Sequence, residues 1–110
     1  MLESGLAGYA SRMLLISSYE IKRQFMHDEN MQRNEMWQFL RHCRNAATHN
    51  GRFIFKGNKP KCSSKWGAFE ITEDLEGKKL FKIKKNEEEG LISIGDPIRL
   101  LWDLEQKFFQ

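Results

Sequence analysis

The chain has 110 residues, 40 % of them hydrophobic and 30 % charged. That length suits one domain rather than two separate cores, and the composition excludes disorder, collagen and a coiled-coil rod. Eighteen Lys and Arg against fifteen Asp and Glu leave a net charge of +3, which names no partner by itself.

Residues 2–26 carry helical spacing: Leu2, Leu6, Tyr9, Met13 and Ile16 step by three or four, and Leu14, Ile21 and Phe25 widen the stripe. The polar residues 27–30 predict a tight link, with His27 in solvent and Asp28 or Asn30 capping the next helix. That helix is predicted over 31–48. Met36, Leu40, Cys43 and Ala47 form its apolar row, flanked by Trp37 and Phe39. Asn50-Gly51 is a stop signal, because glycine readily takes the left-handed conformation that closes a helix.

The pattern then turns to short aromatic and β-branched runs. Residues 52–56 read as a strand and 57–60 as a turn or loop. Residues 66–72 and 78–84 read as two strands joined through 74–77. In the second, Leu80 and Lys82 share one face, and Phe81 and Ile83 the other. A loop through Gly90 leads to a short apolar run, 91–94. Asp96-Pro97 predicts a helix start, with Asp96 as N-cap and Pro97 at the first helical position. Ile98, Leu101, Trp102, Glu105 and Phe108 then step as one face, with Trp102 and Phe108 in the core or an interface. The expected organisation is one domain over 1–110: a helical hairpin at 2–50, a β-rich insertion at 52–94 and a C-terminal helix at 96–110.

Two lysine runs stand out. Lys56, Lys59, Lys61 and Lys65 form one; Lys78, Lys79, Lys82, Lys84 and Lys85 form the other, partly cancelled by Glu87, Glu88 and Glu89. They read as solvated surface, with polyanion contact as the alternative. Trp66 and Phe69 read as core aromatics, with base stacking as the alternative. His42, Cys43, His49 and Cys62 match no zinc spacing, and Cys43 belongs to an apolar row. Two cysteines make no disulfide framework, so free thiols and a reducing, cytoplasmic setting are expected. Glu3 and Arg12 interrupt the apolar N-terminal stretch, and no run reaches the roughly 18 residues of a membrane span. No secretory leader and no membrane partner are expected.

The candidate chemistry lies in Arg44-Asn45-Ala46-Ala47-Thr48-His49. Arginine is charged at any physiological pH and grips phosphate oxygens through a planar fork. Histidine is the side chain best suited to proton transfer near neutrality. Such a pair could cleave RNA without a metal: the imidazole would take the 2′-hydroxyl proton or protonate the leaving oxygen, and the guanidinium would neutralise charge building on the phosphate. Asn45 could orient the phosphate or its neighbours. The bare spacing arises often by chance in a chain with seven Arg and three His. Its place at a helix end, beside Asn45 and just before a stop, makes it informative. The alternative is a surface arginine and a histidine that favours a helix C-terminus as a cation. Five residues of ideal helix rotate by about 500°, leaving Arg44 and His49 roughly 140° apart. Either the chain turns before His49, or a two-fold partner completes the site.

This hexapeptide resembles the signature of the HEPN superfamily: an arginine, a polar residue, three variable residues and a histidine. The resemblance implies a helical bundle that dimerises. It also implies a metal-independent ribonuclease in which two such motifs meet across the interface, in many members a toxin or defence effector. Residue by residue it transfers to Arg44, Asn45 and His49 alone. It covers residues 2–50 and, loosely, the last helix. The β-rich middle departs from the simple bundle, and three helices are evident where four or five are usual.

The fold expected is thus mainly α, a HEPN-like bundle with a β-hairpin or small β-rich insertion before the C-terminal helix. RNA is the expected partner, held by Arg41, Arg52 and Lys56, with no metal or cofactor. A homodimer is expected, and an antitoxin protein is a further candidate partner. The other readings are a non-catalytic HEPN-like binding module and a small basic nucleic-acid-binding α+β domain.

Overall fold

The computed structural model describes residues 2–57, 59–82 and 90–108. Ile83, Lys84, Lys85 and Glu87 to Glu89, which belong to the expected second strand and lysine run, lie outside the described residues, as does the side chain of Leu2. The chain is mainly helical. Helix α1 (Leu2–Lys22) passes through a 3-10 turn at Arg23–Phe25 to the short α2 (Glu29–Gln32); α3 (Glu35–Thr48) follows and α4 (Asp96–Phe108) comes last. Between α3 and α4 lie four two-residue strands: β1 (Lys65–Trp66), β2 (Phe69–Glu70), β3 (Phe81–Lys82) and β4 (Ile92–Ser93).

The predicted helix over 31–48 is in fact two. Asp28 caps α2 by accepting from the Asn30 N–H at 2.6 Å, and Asn34 caps α3 by accepting from Met36 and Trp37 at 2.9 and 3.2 Å. Asn34 interrupts the helix because its short amide satisfies the first free N–H groups better than one more helical turn would.

Helix α3 lies antiparallel to α1: Arg12 reaches the Ala47 carbonyl, and Tyr19 stacks on Trp37. Helix α4 lies parallel to α1, with Ser11 bonded to Ile94 and Lys22 to Glu105. Helix α3 supplies the centre of the core, burying Trp37, Phe39, Leu40, Cys43, Ala46 and Ala47. The expected α1 stripe is corrected. Among the described side chains of α1, the fully buried one is Leu15, which lies outside that stripe, whereas Leu6 and Tyr9 are 72 % and 56 % exposed. Arg12 is already level with the last turn of α3, so the turns before it have no α3 surface to cover. Ile21 and Phe25 are also exposed.

The segment between α3 and α4 differs most from expectation. Residues 52–56 form no strand; Arg52 makes a single bridge to Lys79, and Phe53 exchanges backbone bonds with Lys78 and Gly77. The expected strand over 66–72 is broken by a hairpin, in which β1 and β2 pair antiparallel around Gly67-Ala68. Gly67 has φ +58° at the first central position, the conformation a two-residue type II′ hairpin turn requires. Instead of pairing with that hairpin, β3 runs parallel to β4. Leu80 and Phe81 are both buried, against the expected alternation. Gly90 makes this crossing possible: a Cβ there would sit 2.7 Å from the Phe81 carbonyl oxygen.

These pieces complete one core. Phe53, Phe55, Ile71, Leu80 and Ile92 pack with Leu15, Phe39, Leu100 and Leu104. Each such burial contributes about 1.5–3 kcal/mol. Trp66 and Phe69 stack on each other and lean on Phe39, and Trp66 donates to Asp103 at 2.8 Å. The face of α4 is corrected too. Pro97, Leu100 and Leu104 are buried, while Ile98 and Trp102 are 67 % and 66 % exposed, so Trp102 is not core. Asp96 accepts backwards from the Ser93 N–H at 2.9 Å, tying β4 to the start of α4.

Candidate functional site

The end of α3 is built by its own backbone. The His49 N–H donates to the Asn45 and Ala46 carbonyls, and the Gly51 N–H donates back to Ala46 at 2.9 Å. The Gly51–Ala46 bond is the outer, six-to-one bond of a Schellman-type closure, and the residue in the left-handed region at its C′ position is Asn50, at φ +61°. Asparagine visits that region at less cost than other side chains. The Thr48 hydroxyl donates to the Asn45 carbonyl. The Arg12 guanidinium donates to the Ala47 carbonyl at 3.0 Å, placing a cation where the helix dipole is negative. His49 is left exposed at the tip.

Arg44 faces the other way, across to α1. Its guanidinium donates to Asn45 Oδ1 at 2.9 Å and is ion-paired to Glu20. Its Cζ lies 5.0 Å from the centre of the Tyr19 ring. Its Nε is buried with no partner. Asn45 therefore orients Arg44. The helix runs unbroken through Thr48, so the roughly 140° offset stands and the two motif side chains leave α3 on different sides.

The expected RNA-binding residues divide. Arg52 belongs with His49: its N–H donates to the His49 carbonyl, and its guanidinium donates to the Gly77 carbonyl at 2.9 Å. Lys56 is exposed farther along the loop, at φ +34°. Arg41 lies eight residues back on α3, about 12 Å from His49 along the axis. It approaches Gln38 Oε1 at 3.4 Å and lines a groove with Tyr19 and Trp37. Sequence reasoning passes over Arg12, Tyr19 and Glu20. The available signal is charge inside an amphipathic stripe, since a cation next to an apolar face needs a partner.

His42 and Cys43 point into the core. His42 is 1 % exposed, sets its edge against Phe55 at 6.1 Å, and has no partner for either ring nitrogen. Burial, and then the Arg41 charge, push its pKa down to about 4. Burial raises the Cys43 thiol well above its ordinary value. Neither residue is placed to meet a substrate.

No family model, curated protein or solved structure matches the chain. No described helix is long and apolar enough to cross a membrane.

Proposed function

We propose that this chain is a HEPN-like, metal-independent endoribonuclease that works as a homodimer, in the role of a toxin or defence effector. The observation that carries the reading is the end of α3. There an exposed His49 stands on a tightly closed helix terminus, while Arg44 is held in one orientation by Asn45 and Glu20. His49 takes the proton of a ribose 2′-hydroxyl. The 2′ oxygen attacks phosphorus and the bond from phosphorus to the 5′ oxygen breaks; that oxygen takes its proton from the protonated His49 of the second copy, and a cyclic phosphate end remains. Arg44 neutralises the charge that develops on the phosphate. The offset between the two side chains within one α3 favours a site composed of two copies, and Arg12 and Arg52 add positive charge beside His49. An antitoxin would act by covering the exposed His49.

The test is RNA cleavage by the purified chain in EDTA. Wild type is expected to cut and to leave a cyclic phosphate. Arg44→Ala or His49→Ala is expected to lose about 10²–10⁴ in rate. Full activity in His49→Ala overturns the assignment. Expression of wild type, and not of His49→Ala, is expected to arrest growth.

A second reading, a non-catalytic RNA-binding module, is favoured by one observation: the Arg44 guanidinium is already paired with Glu20. It predicts binding without cleavage in wild type.

A further inference from the structure

We propose that the exposed face of α4 is a self-complementary surface that takes a second copy of this chain, with the two α4 helices antiparallel about a two-fold axis. It goes beyond the ribonuclease reading, because it names a contact surface and holds whether or not the chain cuts RNA. Ile98 and Trp102 are 67 % and 66 % exposed. They stand one turn apart, on the side of α4 away from the buried Leu100 and Leu104. Trp66, held by its bond to Asp103, continues the patch. With Ile98, Arg99, Trp102 and Asp103 it lines an open groove of about 430 Å³. Scattered apolar residues on a surface are ordinary, whereas neighbouring ones that include tryptophan mark a contact surface.

The charges beside the patch identify its occupant. Arg99 and Asp103 repeat the four-residue step of Ile98 and Trp102, and both are exposed. Arg99 makes no hydrogen bond or ion pair among the described residues, with Asp103 or any other. At about 100° per residue, Ile98 and Trp102 occupy one flank of the exposed face, and Arg99 and Asp103 the other. A two-fold axis perpendicular to the helix pair reverses the chain direction and keeps each flank on its own side. Placed level with Leu100 and Leu101, that axis sets Ile98 of each copy against Trp102 of the other. The same register sets Arg99 of each copy against Asp103 of the other. Apolar meets apolar and each charge meets its opposite, so one arrangement satisfies both flanks. A second copy carries this matching pattern by symmetry. A fully buried Trp covers at most about 250 Å². The interface is therefore smaller than the roughly 1,200–2,000 Å² of a stable complex, and the pair is weak and concentration-dependent.

The experiment is sedimentation equilibrium of the full chain from low micromolar to submillimolar concentration. Wild type is expected to associate reversibly. Trp102→Ala is expected to weaken that association about thirty-fold, as loss of a central aromatic anchor does. Arg99→Asp and Asp103→Arg are each expected to weaken it about ten-fold, because each sets two like-charged pairs across the axis. An equimolar mixture of those two variants is expected to associate again. One chain is then acidic at both positions and the other basic at both, so every pair across the axis is attractive. Asp103→Arg also loses the bond from Trp66, whereas Arg99→Asp breaks no described bond and tests the surface even if Asp103→Arg fails to fold. A wild type that stays monomeric throughout overturns the proposal. So does an association that folded Trp102→Ala and Arg99→Asp leave unchanged, and so do folded mixed variants that stay apart. A wild type that associates through this face but cuts no RNA overturns the catalytic reading alone.

Discussion

The middle and the end of α3 carry the same side chain in opposite surroundings. His42 sits against Phe55 with neither ring nitrogen partnered, and burial holds it neutral. Seven residues on, His49 closes the helix and stands in solvent. The first is surrounded by core because its helix face meets residues from the segment after α3. The second is free because the Schellman closure turns the chain away. Only the second is placed to exchange protons with a bound molecule. A histidine's role is set by what packs around it, and two positions on one helix differ completely.

The largest expected effect contrasts the two histidines directly. His49→Ala is expected to lower RNA cleavage by about 10²–10⁴, while His42→Phe leaves it within a few-fold of wild type. Equal losses would erase the contrast.

Next comes the pH dependence of stability. The folded-state pKa of His42 is about 4, below the ordinary 6.5. Between those values the unfolded chain binds more protons than the folded one. Stability from this residue is therefore complete above pH 6.5 and falls as the pH drops toward 4, by up to about 3 kcal/mol. Denaturant melts at pH 7 and pH 4.5 are expected to differ less in His42→Phe than in wild type. An identical pH dependence in the two proteins would show that His42 does not titrate this way.

Two smaller effects probe the helix end. Arg12→Ala removes a charged donor from the Ala47 carbonyl and is expected to cost about 1.5–3 kcal/mol in denaturant unfolding. Asn50→Ala puts a less tolerant side chain in the left-handed position and is expected to cost about 1 kcal/mol. Asn50→Gly in the same assay is expected to cost nothing. A loss in both Asn50 variants would point to the amide itself rather than the backbone angle.

Much of the helical frame is legible in the residues. The Asp28 cap, the Asn50-Gly51 stop and the helix start at Asp96-Pro97 are local signals, complete within a few residues. So is the sequence of the Arg44–His49 motif. The break at Asn34 is legible in principle as a cap signal, but a reading of one helix over 31–48 passes over it. The Gly67 turn is hidden inside a run that reads as one strand. The parallel pairing of β3 with β4 has no local mark, because two short runs so close in sequence are expected to pair as an antiparallel hairpin rather than side by side. The exposed face of α4 escapes sequence reasoning for a related reason. Two stripes at helical spacing share its residues, and Leu100 and Leu104 meet the core while Ile98 and Trp102 do not.

At the candidate site the division is equally clear. Sequence alone determined that Arg44 and His49 lie five residues apart at the end of a helix, because capping and helical rotation depend on near neighbours. Only the tertiary structure decided that Arg44 faces Glu20 and Tyr19 while His49 faces solvent, and that Arg12 sits over the last turn of α3. Those outcomes follow from how α1 packs against α3. A side chain's partners across such an interface are fixed by the packing of the whole core rather than by the residues next to it in the chain.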